Sequence, residues 1–423
     1  MYFLLKNANV YTNNTFKRKN VYIENGCWHL KEIDYIPADT NVTILDFNNY
    51  YIFPGLVDVH VHLREPGFFY KETIKSGTRA AAKSGYTDIF SMPNLNPVPD
   101  GLENLNIQLD IIKKDSLINV HPYGSITKGE NGKKLSNMDE ISNYVSGFSD
   151  DGRGVQDCNV IRQAMIKAKK LNKIIVSHCE DNSLINGGYI HKGKYAEKYG
   201  HKGICSESEW KAVEKELNIA KEVGCKYHVC HVSTKESVDL IRKAKSEGVD
   251  VTCETAPHYL LLNDMDIKED GKYKMNPPIR DEKDRLSLME GIKDGTIDII
   301  ATDHAPHSKD EKSKGLKESL MGVVGIETAF PILYTKLVKT NIISLGKLID
   351  LMSVNPSKRF GIEDKFIEGK KTNLCVFNLN FKYKIDPDKF LSKGKSTPFE
   401  GEEVYGKCVM TICEGKIVWQ ERT

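Results

Sequence analysis

From about residue 52 to residue 330 the chain alternates between two kinds of segment. One kind is short, apolar and rich in β-branched residues: LVDVHVHL, TDIFSMPN, INVHPYGSI, VSGFSDDG, KIIVSHCED, KYHVCHVS, VDVTCETAPHYLLL and IDIIATDHAPH. The other is longer, amphipathic and rich in Lys, Glu and Ala, with helices predicted over 70–83, 160–171, 206–222 and 235–246. Strands that read as continuous apolar runs are covered on both faces, as in a parallel sheet with crossover helices. Eight such units over roughly 250 residues predict an α/β fold, a closed (β/α)8 TIM barrel. An open doubly wound sheet is the alternative. It is disfavoured because no glycine-rich phosphate fingerprint follows the first apolar run.

The two ends of the chain read differently. Residues 1–51 and 363–423 carry short alternating segments, NVYIENGCWHL, TNLCVFNL, CVMTICEG and KIVWQ, separated by turn residues such as Asn25, Gly26 and Gly415. Short alternating runs with tight turns are antiparallel strands. The ends are therefore expected to meet in one small β-sandwich module, leaving 52–362 for the barrel. Sixty basic and 58 acidic residues give a formal net charge of +2. That balance offers no electrostatic reason for nucleic acid or a membrane surface as a partner. No run of about 18 apolar residues is present, and MYFLLKNANVYTNN lacks the pattern of a signal peptide. The ten cysteines include no CxxC pair and read as reduced thiols. A cytoplasmic protein acting on a small molecule is expected.

Polar residues gather where the apolar runs end: His60, His62, Asn94, Asp151, His178, His231 and Asp303. In a parallel barrel these ends share one rim, the usual place for an active site. Alternate strand residues face the same side, so His60 and His62 can grip one ion together. Imidazoles with carboxylates suit zinc or a similar divalent ion. Four imidazoles are too many for one ion that must keep room for water and substrate. Two ions are the natural solution, one held by His60, His62 and Asp303, the other by His178 and His231. Asp151 is then the expected bridge; Asp150 is the rival for that role, and points to the opposite side if the strand continues. Water between two such cations loses its proton near neutral pH, and Asp303 can act as general base and then general acid. This machinery suits hydrolysis of an amide, an ester or a phosphoester without choosing among them. Arg64, two residues after His62, is expected on the same side, where a guanidinium pairs well with a carboxylate. Asn94 and Asn276 can each offer an NH2 donor and a carbonyl acceptor. The 304–319 stretch, lysine-rich and polar, is expected to be a solvated, readily opened lid carrying His307.

The segment FPGLVDVHVHLREPGFFYKETIKSG closely resembles the metal-binding entry segment of the amidohydrolase superfamily in its dihydroorotase branch. The likeness continues through SMPNLNPVPD, FSDDGRGVQ, VSHCED, CHVST, KMNPPIR, ATDHAPHSKDEK and GVVGIETAFP, and so covers essentially the whole chain. It is similar to the type in which an aspartate, rather than a carbamylated lysine, bridges the metals. The resemblance implies reversible interconversion of N-carbamoyl-L-aspartate and L-5,6-dihydroorotate in pyrimidine synthesis, with one or two Zn2+ ions per subunit. It carries the metal ligands onto His60, His62, Asp151, His178, His231 and Asp303, and catalysis onto Asp303. Substrate contacts fall on Arg64, Asn94, Asn276 and His307, with backbone help near Met321 and Gly322. Leu95 and Met321 depart from the family's usual threonine and phenylalanine, which touches the shape of the pocket and not the reaction. Hydantoinases and dihydropyrimidinases resemble the chain too, but carry a lysine where FSDDG stands and lack an arginine after HxH. Allantoinases place a different residue at the position of Arg64. A non-catalytic scaffold relative would have lost ligands that are all present here. A homodimer is expected by analogy alone, and association with aspartate transcarbamoylase cannot be read from the sequence.

Overall fold

Eight parallel staves form the centre of the molecule in a computed structural model, which describes residues 2–12, 14–37, 41–362 and 366–421. They are Leu56–Val61, Tyr86–Ser91, Asn119–Pro122 continued by Gly124–Ser125, Gly147–Ser149, Ile174–Ser177, Tyr227–Val229, Val251–Thr255 and Ile299–Ile300. Each pairs in parallel with the next. The ring closes where Val61 bridges His304 in parallel and the His62 amide donates to the His304 carbonyl at 2.8 Å. Thr302 adds two donations, from its amide and hydroxyl, to the Asp58 carboxylate on the first stave.

The staves are buried on both faces, and consecutive residues go to different cores. Val57, Phe90, Tyr123 and Val176 fill the barrel interior with Ile299 and Ala301. Their neighbours Leu56, Ile89 and Ile175 join the outer core under helices such as Ile74–Lys83, Cys158–Lys170, Glu207–Val223 and Lys235–Ser246. Each large apolar side chain so buried contributes about 1.5–3 kcal/mol.

Two element ends differ from the sequence pattern. The first helix starts at Ile74, four residues later than the pattern from residue 70 suggests. Thr73 caps it, its hydroxyl accepting from the Ser76 amide while the Ser76 hydroxyl accepts from the Thr73 amide. The long apolar run over 249–262 divides, because Pro257 opens the helix Pro257–Leu261 directly after the strand Val251–Thr255.

The chain ends build an eight-stranded sheet in the order Lys416–Gln420, Glu403–Cys413, Leu374–Lys384, Tyr51–Pro54, Tyr2–Thr12, Thr15–Glu24, Cys27–Lys31, with Thr43–Asp46 also on Tyr2–Thr12. Tyr51–Pro54, at the junction with the barrel, is the strand that joins the two chain ends. Residues 363–365, where the sequence reading starts the returning segment, lie outside the described residues. The two hairpin turns fall where expected. Asn25 and Gly26, like Glu414 and Gly415, all have φ between 50° and 79°, the left-handed pair that a tight hairpin turn requires. Alternation again divides the packing. Ile52 and Val376 face the sandwich core with Val10, Val21 and Met410, while Phe53 and Phe377 stack toward Phe330 of the barrel at centroid distances of 5.6 and 4.3 Å. Among the described residues no helix is long and apolar enough to cross a membrane.

Candidate metal-dependent active site

Each of the six expected ligand residues sits within the last residues of a stave or just beyond it, and all six are buried. His60 Nε2 lies 3.4 Å from Asp151 Oδ1 and 3.5 Å from Asp303 Oδ1. His62 Nε2 lies 3.4 Å from Asp151 Oδ2 and 3.2 Å from Asp303 Oδ1. The same Asp151 Oδ1 that faces His60 is 3.4 Å from His231 Nε2 and 3.7 Å from His178 Nδ1. Ligand atoms about 2.0–2.2 Å from one tetrahedral ion stand roughly 3.3–3.5 Å apart, and these separations match. Two overlapping groups, His60–His62–Asp303 and His60–Asp151–His231, each keep their donor atoms within 4.8 Å of one another. Asp151 is common to both sides of the cluster. Asp150 turns the other way and spends its oxygens on the amides of Ile126 and Thr127 and on the Thr127 hydroxyl.

The charges favour a cation. Burial opposes protonation of His60, yet Asp151 and Glu254 outweigh it and push its pKa well above the usual value. Burial likewise works against an ionised Asp151, but His60 and His231 hold it well below the usual carboxylate range. His60 Nε2 and Asp151 Oδ1 are nonetheless buried with no hydrogen-bond partner. Buried polar atoms are nearly always satisfied, so this donor set fits a divalent ion. Backbone strain supports the same reading: Arg64, His231 and Asp303 have φ of 61°, 32° and 45°. Such conformations in residues with side chains concentrate at functional sites.

Above the cluster lies a cavity of about 190 Å³. Arg64, Asn94, Asn276, His307, Met321 and Gly322 all line it. Arg64 arrives by a different route from the one expected. The strand stops at Val61, and the left-handed backbone at Arg64 supplies the aim that strand alternation was expected to give. Its guanidinium is buried, anchored through Nε to the Pro306 carbonyl at 3.2 Å, and burial lowers its pKa to about 10. His307 is neutral, its pKa brought down to about 3 by burial and by Arg64 and Lys71. Its Nε2–H donates to the Met321 carbonyl at 2.8 Å and its Nδ1 accepts from Lys71 Nζ at 3.2 Å. The Met321 carbonyl is thus already engaged. Gly322 has φ of 133°, and a Cβ there would meet Ala305 O at 2.7 Å and His307 Nε2 at 3.1 Å, so only glycine fits.

Several residues that complete the site carried no signal in the sequence. Glu254 accepts from His60 Nδ1 at 2.6 Å and from His228 Nε2 at 3.1 Å, which leaves His60 Nε2 for the cluster. Asn94, expected only as a substrate contact, does the same through Oδ1 for His62 Nδ1 at 2.9 Å. Glu180 lies between His178 and Asn276. The stretch over 304–319 departs from the solvated lid expected of it. Leu316 is fully buried, and the buried Lys312 ammonium donates to the Lys274 and Leu320 carbonyls at 3.0 and 2.7 Å. Those two carbonyls satisfy a lysine that composition alone assigns to solvent.

An eight-stave barrel with imidazoles and carboxylates on its rim, joined to a sheet made by both chain ends, has the build of a metal-dependent hydrolase. Among solved structures the chain is similar to L-hydantoinase (dihydropyrimidinase) from Arthrobacter aurescens, with a TM-score of 0.89 and 26% identity, covering 100% of this chain and 97% of that one. It is also similar to dihydropyrimidinase from Brevibacillus agri at a TM-score of 0.85 and 21% identity, covering 99% and 95%. A dihydro-orotase-like family model matches residues 50–237. The dihydroorotase of Fusobacterium nucleatum is 49% identical over 99% of both chains. That of Ligilactobacillus salivarius is 47% identical over 99% of this chain and 98% of its own. The chain belongs to the dihydroorotase family.

Proposed function

We infer that the protein interconverts N-carbamoyl-L-aspartate with L-5,6-dihydroorotate and water, and that it does so with zinc at the Asp151 cluster. The four imidazoles with Asp151 and Asp303 would hold two such ions per chain. The observation that carries the choice of substrate is Arg64, a buried guanidinium in the same cavity as the ligand cluster. A desolvated cation there demands an anion. Dihydroorotate brings a carboxylate, whereas hydantoin and allantoin bring none.

Divalent ions bound at the cluster would acidify a water and polarise the ring carbonyl. The chain's own groups do the rest. Arg64 pairs with the substrate carboxylate and fixes which ring amide meets the cluster. Asn94, whose oxygen is engaged by His62, offers its NH2 to the ring. In hydrolysis Asp303 takes a proton from the attacking water and returns it to the ring nitrogen as the C–N bond breaks. In cyclisation it runs in reverse and protonates the departing oxygen. Hydrolysis releases a proton to solvent and cyclisation consumes one, so ring closure is favoured at lower pH.

The test is turnover of dihydroorotate beside allantoin and hydantoin by protein purified without chelator, with metal analysis of the same sample. We expect about two zinc ions per chain and dihydroorotate preferred at least about a hundredfold, the order of one charge-assisted contact. A kcat/KM for hydantoin equal to or above that for dihydroorotate overturns the reading.

A further inference from the structure

The two amides in the cavity wall are held with opposite polarity. Asn94 gives its oxygen to His62 Nδ1 at 2.9 Å, leaving Nδ2 beside Gly152 on the cavity wall. Asn276 is reversed: its Nδ2 donates to Glu180 Oε2 at 3.0 Å, and its Oδ1 is buried with no partner. The same Glu180 oxygen lies 3.5 Å from His178 Nε2. A carboxylate oxygen only accepts, so both neighbours must donate to it. Asn276 is thereby locked with its carbonyl turned away from Glu180. His178 is locked with its lone pair on Nδ1, the atom 2.9 Å from His231 Nε2 and 3.7 Å from Asp151 Oδ1. Glu180 is absent from the cavity wall, and its own carbonyl is tied down by Gln156 Nε2 at 3.0 Å.

We propose that Glu180 is a positioning residue that sets, through one oxygen, both the tautomer of His178 and the polarity of Asn276, so that the cavity requires a substrate N–H at Asn276. The proposal rests on the ureide-hydrolysing reading above and deepens it. One wall donates through Asn94 and the other accepts through Asn276, which suits a ureide with a carbonyl on one side and an N–H on the other. An analogue with a ring oxygen or methylene in place of that N–H leaves Asn276 Oδ1 buried against no donor. Sites built to hydrogen-bond an N–H reject analogues that lack it far more strongly than they reject a change of size.

The experiment compares Glu180→Met, which keeps the length and removes both acceptor oxygens, with Glu180→Gln, which keeps one. We expect Glu180→Met to raise KM for dihydroorotate at least tenfold and lower kcat by a smaller factor. It should also retain about one zinc ion per chain fewer than wild type after dialysis against a weak chelator. Glu180→Gln should recover most of both properties. Asn276→Ala should raise KM in the wild-type background but change it less than twofold in Glu180→Met, because the contact is already lost. If Asn276→Ala raises KM equally in both backgrounds, or if Glu180→Gln is as damaged as Glu180→Met, the proposal is overturned. Glu180→Ser, too short to reach either partner, repeats the cycle where thermal melts show the methionine variant unfolded. A wild-type protein inactive on dihydroorotate overturns the functional reading instead, and the zinc counts of the variants then still decide the link from Glu180 to His178.

Discussion

Two buried carboxylates touch residues just beyond the same stave, Tyr227–Val229, and their surroundings are opposite. Glu209, on the helix Glu207–Val223, accepts from the amides of Ser233 and Thr234 at 3.1 and 3.0 Å and from the hydroxyls of Ser233, Thr234 and Ser237. Arg280 Nη2 stands 3.6 Å away. Every lone pair has a use, and the knot ties one helix to the start of the next. Asp151 touches His231, only two residues before Ser233, yet its Oδ1 has no hydrogen-bond partner. Burial of an acid therefore does not mark a site. What distinguishes Asp151 is an unspent oxygen set among imidazoles, because a buried polar atom left alone is costly unless something outside the protein completes it.

The contrast can be broken by mutation, and the largest effect is expected at Asp303. Asp303→Asn should lower turnover in both directions by about 10²–10⁴-fold while the melting temperature stays within a few degrees. Initial rates within tenfold of wild type would remove Asp303 from proton transfer. Glu209→Ala should do the reverse. It strands Arg280 and several donors, and should cost about 3–5 kcal/mol of stability in denaturant titration, with zinc content per folded molecule and KM unchanged. Loss of zinc from that variant would mean that the two clusters are one unit.

Arg64→Met should weaken dihydroorotate by about 1.5–3 kcal/mol, the worth of a charge-assisted contact, and weaken an uncharged hydantoin much less. Parallel KM measurements on both substrates decide this, and equal losses would leave Arg64 only a packing role. The smallest effect concerns acid. Burial raises the Glu311 pKa, but the Ser308 amide and Lys71 outweigh it and hold it at about 2. Its stabilising contribution is complete above the ordinary value of 4.5 and is lost as pH falls toward about 2. The 304–319 stretch should then exchange its amides faster at pH 3 than at pH 5, after correction for intrinsic rates. Glu311→Gln should show the loosened behaviour already at neutral pH, and identical protection in the two proteins would count against this anchor.

The barrel and the six clustered residues were legible because they depend on periodicity. Apolar runs give staves, a shared direction gives one rim, and residues such as His178 at the end of IIVS are marked by position alone. The supporting residues were not legible for a physical reason. Glu254 sits in a strand and Glu209 in a helix, and each acquires meaning only from partners distant in the chain, as His60 is from Glu254. Lys312 was read as solvated because the carbonyl of Lys274 that receives it lies 38 residues away. The polarity of Asn94 and Asn276 was equally hidden. Each amide can donate or accept, and only His62 and Glu180 decide which.

Closure of the ring through His304 has a consequence in time. His62 and Asp303 are 241 residues apart, so at synthesis rates of about 5–20 residues per second roughly 12–50 s separate the making of the first imidazole pair from the making of the acid that faces it. Throughout that interval the ring cannot close, because the His304 carbonyl that receives the His62 amide has not been made. The strand Tyr51–Pro54 waits longer still for Leu374–Lys384, with an unpaired edge that another chain could cover. Ribosome-bound chains halted after residue 362 should therefore capture a peptide carrying the Leu374–Lys384 sequence, and full-length protein should not. The returning C-terminal segment is what covers the edge of Tyr51–Pro54 in the finished molecule.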